Sequence, residues 1–502
     1  MSVSFNNIPA GVRVPLFYAE MDNSAANSAQ ATLRTLIIGQ VNDGHTHADI
    51  GKLTLCSRTE QAAEIGGAGS VLHAMHRSYK RNDSFGTVWV LPLALSTGTA
   101  AAGSISVTAA ATGSGIITLY VAGQRVQVNV VAGDTAAALA TAIAAAITAN
   151  AALPVKAAVD ETTATKVNIT AKSKGLLGSD ITLQLNRLGT AGGEALPAGV
   201  ALTLTALTGG AGAPDLAAAL AAVGDEPFEF IIHPFTDAAS LNALRDWMND
   251  TAGRWSWVKQ LYGHCYAARR GTLGELVAFG TARNDPHHTV HGFEALVPQP
   301  AWEVAAAYGA RTAVFISADP ARPTQTGVLT GVDAAPAGDR FMLDERQTLL
   351  TSGVATAFVE GGEYRIERGI TTYQKNAFGA EDDSYLDSET LHTSAHVLRT
   401  LKARITSKYP RHKLANDGTK YGPGQAIVTP VVIRGELIAA YRELEYLGIV
   451  ENAESFKANL IVERSTTNPN RLDVLFPPDY VNQLRVFALL NQFRLQYSTL
   501  AE

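Results

Sequence analysis

From Thr97 to Gly212 the chain is dominated by alanine, glycine and threonine, with few aromatics, and this break in composition constrains the whole arrangement. The block keeps regular patterning, which argues against a low-complexity linker. Ile116–Val121 and Arg125–Val131 read as strands joined by Ala122-Gly123, a two-residue hairpin signal. Asp134 is expected to cap an alanine-rich helix to about Ala149, in which Leu139, Ile143 and Ile147 recur at four-residue spacing. Val167–Ala171, Ile181–Leu185 and Val200–Thr205 supply further strands, and glycine-rich hinges flank the block. The reading is a small α+β domain, 96–212, inserted into a larger one with its ends close together.

The larger domain then comprises 31–95 and 213–340. Thr32–Gly39 is a buried-strand pattern, Ser57–Tyr79 is mainly helical with a break at Gly66-Gly67, and Thr87–Leu93 is a second strand. That order predicts a parallel α/β unit. After the insert, Asp215–Val223 is helical, Phe228–His233 a strand, and Asp237–Asn249 an amphipathic helix. Trp257-Val258, Leu261-Tyr262 and Glu275–Gly280 read as strands, and Ala301–Ala310 as a helix. Arg322–Arg340 is loop-rich.

A third region, 341–480, is α+β. After the Gly361-Gly362 turn, Tyr364, Ile366, Arg368, Ile370 and Thr372 alternate with Glu363, Arg365, Glu367, Gly369 and Thr371, the period of a strand. Asp387 suits an N-cap, with Glu389 in the first turn of a helix whose apolar face carries Leu391, Ala395, Leu398, Leu401 and Ile405. Gly435–Leu447 is a second helix with Gly448 as its C-cap. Asn459–Glu463 and Arg471–Phe476 form a hairpin around Asn468-Pro-Asn.

The ends differ from the rest. Val12, Val14, Leu16 and Tyr18 alternate in a short extended stretch confined by Pro9 and Pro15. It is either a terminal strand of its own subunit or an arm for a neighbour. At the other end Phe487, Leu489, Phe493, Leu495 and Tyr497 share one face of an extended chain. A helix is possible over 481–490, while the Phe493-Arg-Leu-Gln-Tyr497 ending favours a strand.

Chemistry is hard to find. There is no P-loop, no dinucleotide-spaced Gly66-Gly-Ala-Gly69, and no nucleophile elbow. His287-His288 with His291 lacks a further metal ligand at sensible spacing, His264-Cys265 reads as a buried pair, and Asp382-Asp383 as a loop leading into a helix. No catalytic residue, cofactor site or metal site is assigned. A net charge of −6 without a basic cluster long enough to track phosphates speaks against direct nucleic-acid binding. No apolar run reaches the roughly 18 residues of a membrane span. Met1–Pro9 is unlike a secretory signal, and two cysteines make no disulfide framework.

Arg368-Gly-Ile-Thr-Thr-Tyr-Gln, Asp383-Ser-Tyr-Leu-Asp387, Lys408-Tyr-Pro-Arg-His-Lys-Leu-Ala-Asn-Asp417, Ile433-Arg-Gly-Glu-Leu-Ile438 and Val481-Asn-Gln-Leu-Arg-Val-Phe487 resemble the tail sheath proteins of Mu-like contractile-tailed phages. Ser4-Phe-Asn-Asn-Ile-Pro9 and Pro15-Leu-Phe-Tyr-Ala-Glu-Met-Asp22 resemble the start of the same family, so the likeness runs through nearly the whole chain. The resemblance implies a subtilisin-like α/β core and a structural, non-enzymatic subunit. It implies hexameric rings stacked helically around a tail tube, bounded by baseplate and tail terminator proteins. The subunit would belong to the virion tail, be assembled in the host cytoplasm, and contract to drive the tube through the host envelope, with no stable membrane association. Residues 1–30 and 481–502 become arms lent to neighbours, and the strand through Tyr364, Ile366, Arg368 and Ile370 the candidate acceptor. The insert becomes an outer decoration that a short join could replace. The sheath of a headless injection machine, pyocin-like or secretion-type, is the alternative.

Overall fold

The computed structural model describes residues 33–495, so Val12, Val14, Leu16, Tyr18 and Tyr497 lie outside the described residues. From Arg34 onward the chain clusters as one unit. Its centre is a six-stranded sheet ordered 288–294, 264–271, 230–232, 34–40, 87–93, 54–55. All neighbours are parallel except the last pair. Leu36, Ile37 and Ile38 are fully buried, as a central parallel strand covered on both faces requires. Leu36, Ile38, Leu91, Ile231 and Cys265 face the helices 216–221 and 238–248. Val71–Asn82 and Ala301–Ala318 pack together against strands of the same sheet. Gly309 lies so close to the sheet that a Cβ there would come within 2.5 Å of Ile232 Cδ1, which is why a mid-helix glycine is kept.

The expected strand at Glu275–Gly280 is a helix instead, Leu273–Thr281. Thr272 and Glu275 close a capping box that outweighs the strand-like run of apolar residues. Trp257 and Val258 stand exposed in a turn-rich loop, and Tyr262 has a φ of 48°, so neither pair forms a strand. The strands Ala100–Ala109 and Val155–Val159 were hidden by composition: alanine and glycine carry little strand signal.

Within 97–212 lie a four-stranded and a three-stranded sheet. Ala122 and Gly123 both have positive φ, 51° and 73°, which fits the primed turn expected of a tight hairpin. The helix Ala136–Ala149 is capped by Thr135, whose side chain accepts from Ala138 N, rather than by Asp134. Leu139, Ile143 and Ile147 are its buried face.

The block does not hang free of the sheet. Connections from strand 34–40 run to one side and those from 230–232 to the other, so the crevice between their carboxyl ends is the switch point where α/β proteins form clefts. Here the base of the 97–212 block fills much of it. A cavity of about 360 Å³ remains between Gln40, Leu177, Asp180, Phe235, Arg269 and Trp302. Gln40 Nε2 donates to Lys174 O at 2.7 Å. Asp180 pairs with Arg270 at 2.6 Å, and its other oxygen accepts from Ala301 N at the start of helix Ala301–Ala318. Gly69, at a φ of +77°, sits where a Cβ would meet Leu153 O at 2.2 Å. A short join replacing 97–212 would remove all of these contacts, so its excision is not neutral for the core.

Asp180→Ala is therefore expected to lower the unfolding free energy of the whole chain by about 2–3 kcal/mol, since it uncaps a helix and leaves Arg270 without its carboxylate. Denaturant titration of the full-length protein checks this; an unchanged midpoint would show that the block is not keyed to the core.

Candidate functional site

The described histidines divide among several packing environments. His288 Nε2 meets His233 Nε2 at 2.9 Å, and His264 Nε2 meets Thr289 Oγ1 at 2.8 Å. His291 stacks on Tyr308, while His287 stacks on Trp255 and reaches Asp250 at 3.1 Å. Among the described residues no group of three or more His, Cys, Asp or Glu could hold a metal ion. Cys56 and Cys265 are buried free thiols, and burial pushes Cys56 up to about 11. Asp382 accepts from Ser384 N and from Tyr373 Oη, a turn role, and these bonds lower its pKa.

The centre of this region is charged as well as aromatic. Glu229, 3% exposed, is paired with Arg399 and His392, and Tyr266 Oη lies 2.6 Å from His392 Nε2. Burial alone would raise the Glu229 carboxyl; Arg399 and His392 outweigh it and hold it at about 2. Burial pushes His233 down to about 3, His291 to about 4, and His264 and His288 well below their ordinary value. These rings are neutral and apolar in effect: they pack the core.

The unusual feature lies at the C-terminal end. Residues 481–495 form neither helix nor strand. Val486 and Phe487 are each 78% exposed, Leu489 76%, Leu490 89%, Phe493 75% and Leu495 96%. An apolar run so fully open to water is a liability for an isolated molecule. The chain just before it is firmly held. Val481 N donates to Ile449 O, Glu451 N donates to Asp479 O, and Gln483 Nε2 donates to Ala321 O at 3.0 Å. Arg485, whose side chain is only 10% exposed, pairs with Asp387 at 3.2 Å and Glu389 at 3.1 Å.

Asp387 does sit at the N-cap position of helix Ser388–Lys408, but its side chain makes no cap bond. Its carboxylate takes a two-pronged contact from Arg368, 2.8 and 2.9 Å, together with Arg485. Glu389 is fully buried and accepts from Thr324 N and Oγ1. Sequence reasoning passed over Arg485; the available signal was a lone arginine opening an apolar run.

The candidate acceptor strand reads differently in three dimensions. Glu363–Arg368 pairs with Thr356–Glu360 on one edge. On its other edge Thr326 N donates to Ile366 O, Leu329 N to Tyr364 O, and Ile366 N to Gly327 O. Both edges at Tyr364 and Ile366 are therefore occupied. The strand ends at Arg368, and Ile370 makes only an isolated bridge to Asp387. By contrast, Ile461–Arg464 and Leu472–Leu475 form a two-stranded hairpin bonded to no third strand among the described residues, with Ile461, Val474 and Leu475 exposed.

A self-contained core carrying an open hairpin and an unburied apolar tail has the makings of an assembly subunit. A family model described as "Phage tail sheath protein central domain" matches residues 209–372, and one described as "Phage tail sheath C-terminal domain" matches 380–494. The Mu-like prophage FluMu tail sheath protein of Haemophilus influenzae is 43% identical over 502 residues, 99% of this chain and 100% of that one. The chain belongs to the phage tail sheath protein family, on its Mu-like branch. Among solved structures, a sheath tail protein from Desulfitobacterium hafniense is 14% identical at a TM-score of 0.48, covering 94% of this chain and 97% of its own. The helical sheath of the anti-feeding prophage in its contracted state is 12% identical at 0.47, with 97% and 100% covered.

The buried histidines carry a pH dependence with a definite sign. Their folded pKa lies below the unfolded 6.5, so the unfolded chain binds more protons in acid. The stability they contribute is complete above pH 6.5 and is lost as pH falls toward 4, by on the order of 3 kcal/mol for a residue such as His291. The melting temperature of the subunit should fall steeply between pH 6.5 and 4, and His291→Phe should flatten part of that fall; a level profile would contradict it.

Proposed function

We propose that this tail sheath protein polymerises by lending its C-terminal arm to a neighbouring copy and that the resulting cylinder contracts around a tail tube. The observation that carries the reading is the run 486–495, held at its root and open along both faces. Added to a neighbour's sheet, its backbone groups would gain about 1 kcal/mol net per bond, and each large apolar side chain roughly 1.5–3 kcal/mol. Phe487, Leu489, Phe493 and Leu495, with Tyr497 beyond the described residues, are the anchors. Val12, Val14, Leu16 and Tyr18 are proposed as the partner arm. The hairpin Ile461–Arg464 and Leu472–Leu475 is the better acceptor on its open edges. The strand through Tyr364, Ile366 and Arg368 would first have to shed a neighbour. A donor patch and acceptor patch that differ make a head-to-tail contact, which closes into rings or winds into helices.

The finer architecture belongs to the same proposal: a subtilisin-like core from 31–95 and 213–340, the insert 96–212 on the outside, 341–480 toward the tube, and arms at 1–30 and 481–502. The shared parallel sheet supports the discontinuous core. Hexameric rings, a tube, and baseplate and terminator proteins at the ends, in a virion tail assembled in the host cytoplasm, complete the picture. Among the described residues no helix is long and apolar enough to cross a membrane. Lys402, Arg411 and Lys420 are exposed and without an ion pair among the described residues, on a chain of net charge −6. They suit an acidic protein surface such as a tube wall.

Deleting 486–502 is expected to leave a folded subunit, unchanged in far-ultraviolet circular dichroism, that forms no tubes in negative-stain micrographs; persistent tubes would overturn the proposal. The triple reversal Lys402→Glu, Arg411→Glu, Lys420→Glu should still give empty sheath but lose co-sedimentation with tail tube. Unimpaired co-sedimentation would remove these residues from the tube surface.

A further inference from the structure

Between Arg485, whose side chain is 10% exposed, and Val486, at 78%, the chain passes sharply from a nearly closed site to an apolar stretch open to solvent. Up to that point most residues have a tie: Tyr480 bridges Val450, Val481 bonds Ile449, Gln483 bonds Ala321, and Gln325 contacts both Leu484 O and Arg485. The last tie is the strongest. Arg485 enters a site that is nearly closed to water and finds a carboxylate at 0% side-chain exposure, Glu389, and a second at 20%, Asp387. Arg368 holds Asp387 from the other side, and Thr324 holds Glu389. The site therefore joins the end of strand Glu363–Arg368, the first turn of helix Ser388–Lys408, the loop at 321–325 and the root of the arm.

A nearly buried arginine against a buried carboxylate is costly to separate, because either partner left alone is an uncompensated charge in a dry site. A solvated surface pair would slip; this one does not slip cheaply. It also sits where the apolar run begins, so the number of residues free to reach a neighbour is counted from here.

We propose that Arg485, seated on Asp387 and Glu389, is a positioning residue that sets the origin, and hence the free length, of the lent arm. The inference rests on the strand-lending reading above. Pull applied to the arm by a neighbour is delivered to the helix Ser388–Lys408 and to strand Glu363–Arg368. The chain between Val450 and the arm is bypassed. Slack upstream of Arg485 does not reach the neighbour, while slack downstream does.

Two insertions in the full-length chain separate these cases. Gly-Ser-Gly between Arg485 and Val486 lengthens the free arm by about 10 Å. The same tripeptide between Asn482 and Gln483 lies behind the clamp and is absorbed as a small loop. The expected result is an altered or irregular axial repeat in cryo-electron micrographs of polymerised sheath for the first variant and the parental repeat for the second. Equal behaviour of the two, in either direction, overturns the proposal. Arg485→Gln should reproduce the irregular repeat and also lower the subunit melting temperature, because Glu389 loses its arginine, and Arg485→Lys should restore both in part. An Arg485→Gln sheath with the parental repeat also overturns the proposal. If the 486–502 deletion still polymerises, the strand-lending reading itself has failed; if that deletion abolishes tubes while the two insertions behave alike, only the clamp has.

Discussion

The strand Arg34–Gln40 is paired in parallel on both sides and buried on both faces, and most of the molecule follows from that placement. Parallel neighbours cannot be joined by tight turns, so long crossovers are obligatory. The crossover from strand 87–93 to strand 230–232 is where the 97–212 block is housed. Because it enters at the switch point, the block covers the cleft where an α/β enzyme would put its ligand. Asp180 then links it to Arg270 and to the start of helix Ala301–Ala318. The crevice that other α/β folds use for a ligand is here largely occupied by the block.

Side chains of types that often carry chemistry are buried in this core. His233, His264, His288 and His291 pack in the core as neutral rings, and Glu229 is held between Arg399 and His392. The partners these deep polar groups do make, such as His233 with His288 and His264 with Thr289, narrow the set of arrangements the core can adopt. A sheath subunit that is to reorient as a unit benefits from such a core, since motion is confined to its connections.

Those connections are built on the opposite principle. The hairpin at 461–475 keeps open edges, and 486–495 keeps apolar side chains in water. Isolated, both features invite aggregation; in the polymer proposed above they would complement each other. The ion cluster of Arg368, Asp387, Glu389 and Arg485 stands at the border between the two regimes, and its charges cannot separate without leaving one of them alone in a dry site.

Sequence periodicity was enough for the elements whose signal is local. Leu139, Ile143 and Ile147 mark a helix face, Ala122-Gly123 a hairpin, and the apolar run after Arg485 a segment with nothing of its own to bury it. The family likeness was legible too, since it rests on ordered short motifs. The register of the parallel sheet, the strand Ala100–Ala109, the filled edges of strand Glu363–Arg368 and the reassignment of Asp387 from helix cap to arginine partner were not. Each depends on residues far apart in the chain: Asp387 meets Arg485 across 98 positions, and Asp180 meets Arg270 across 90. Local pattern reports what a segment can form; only the packed molecule decides which edges and charges remain to be satisfied, because that is settled by what lies next to them in space.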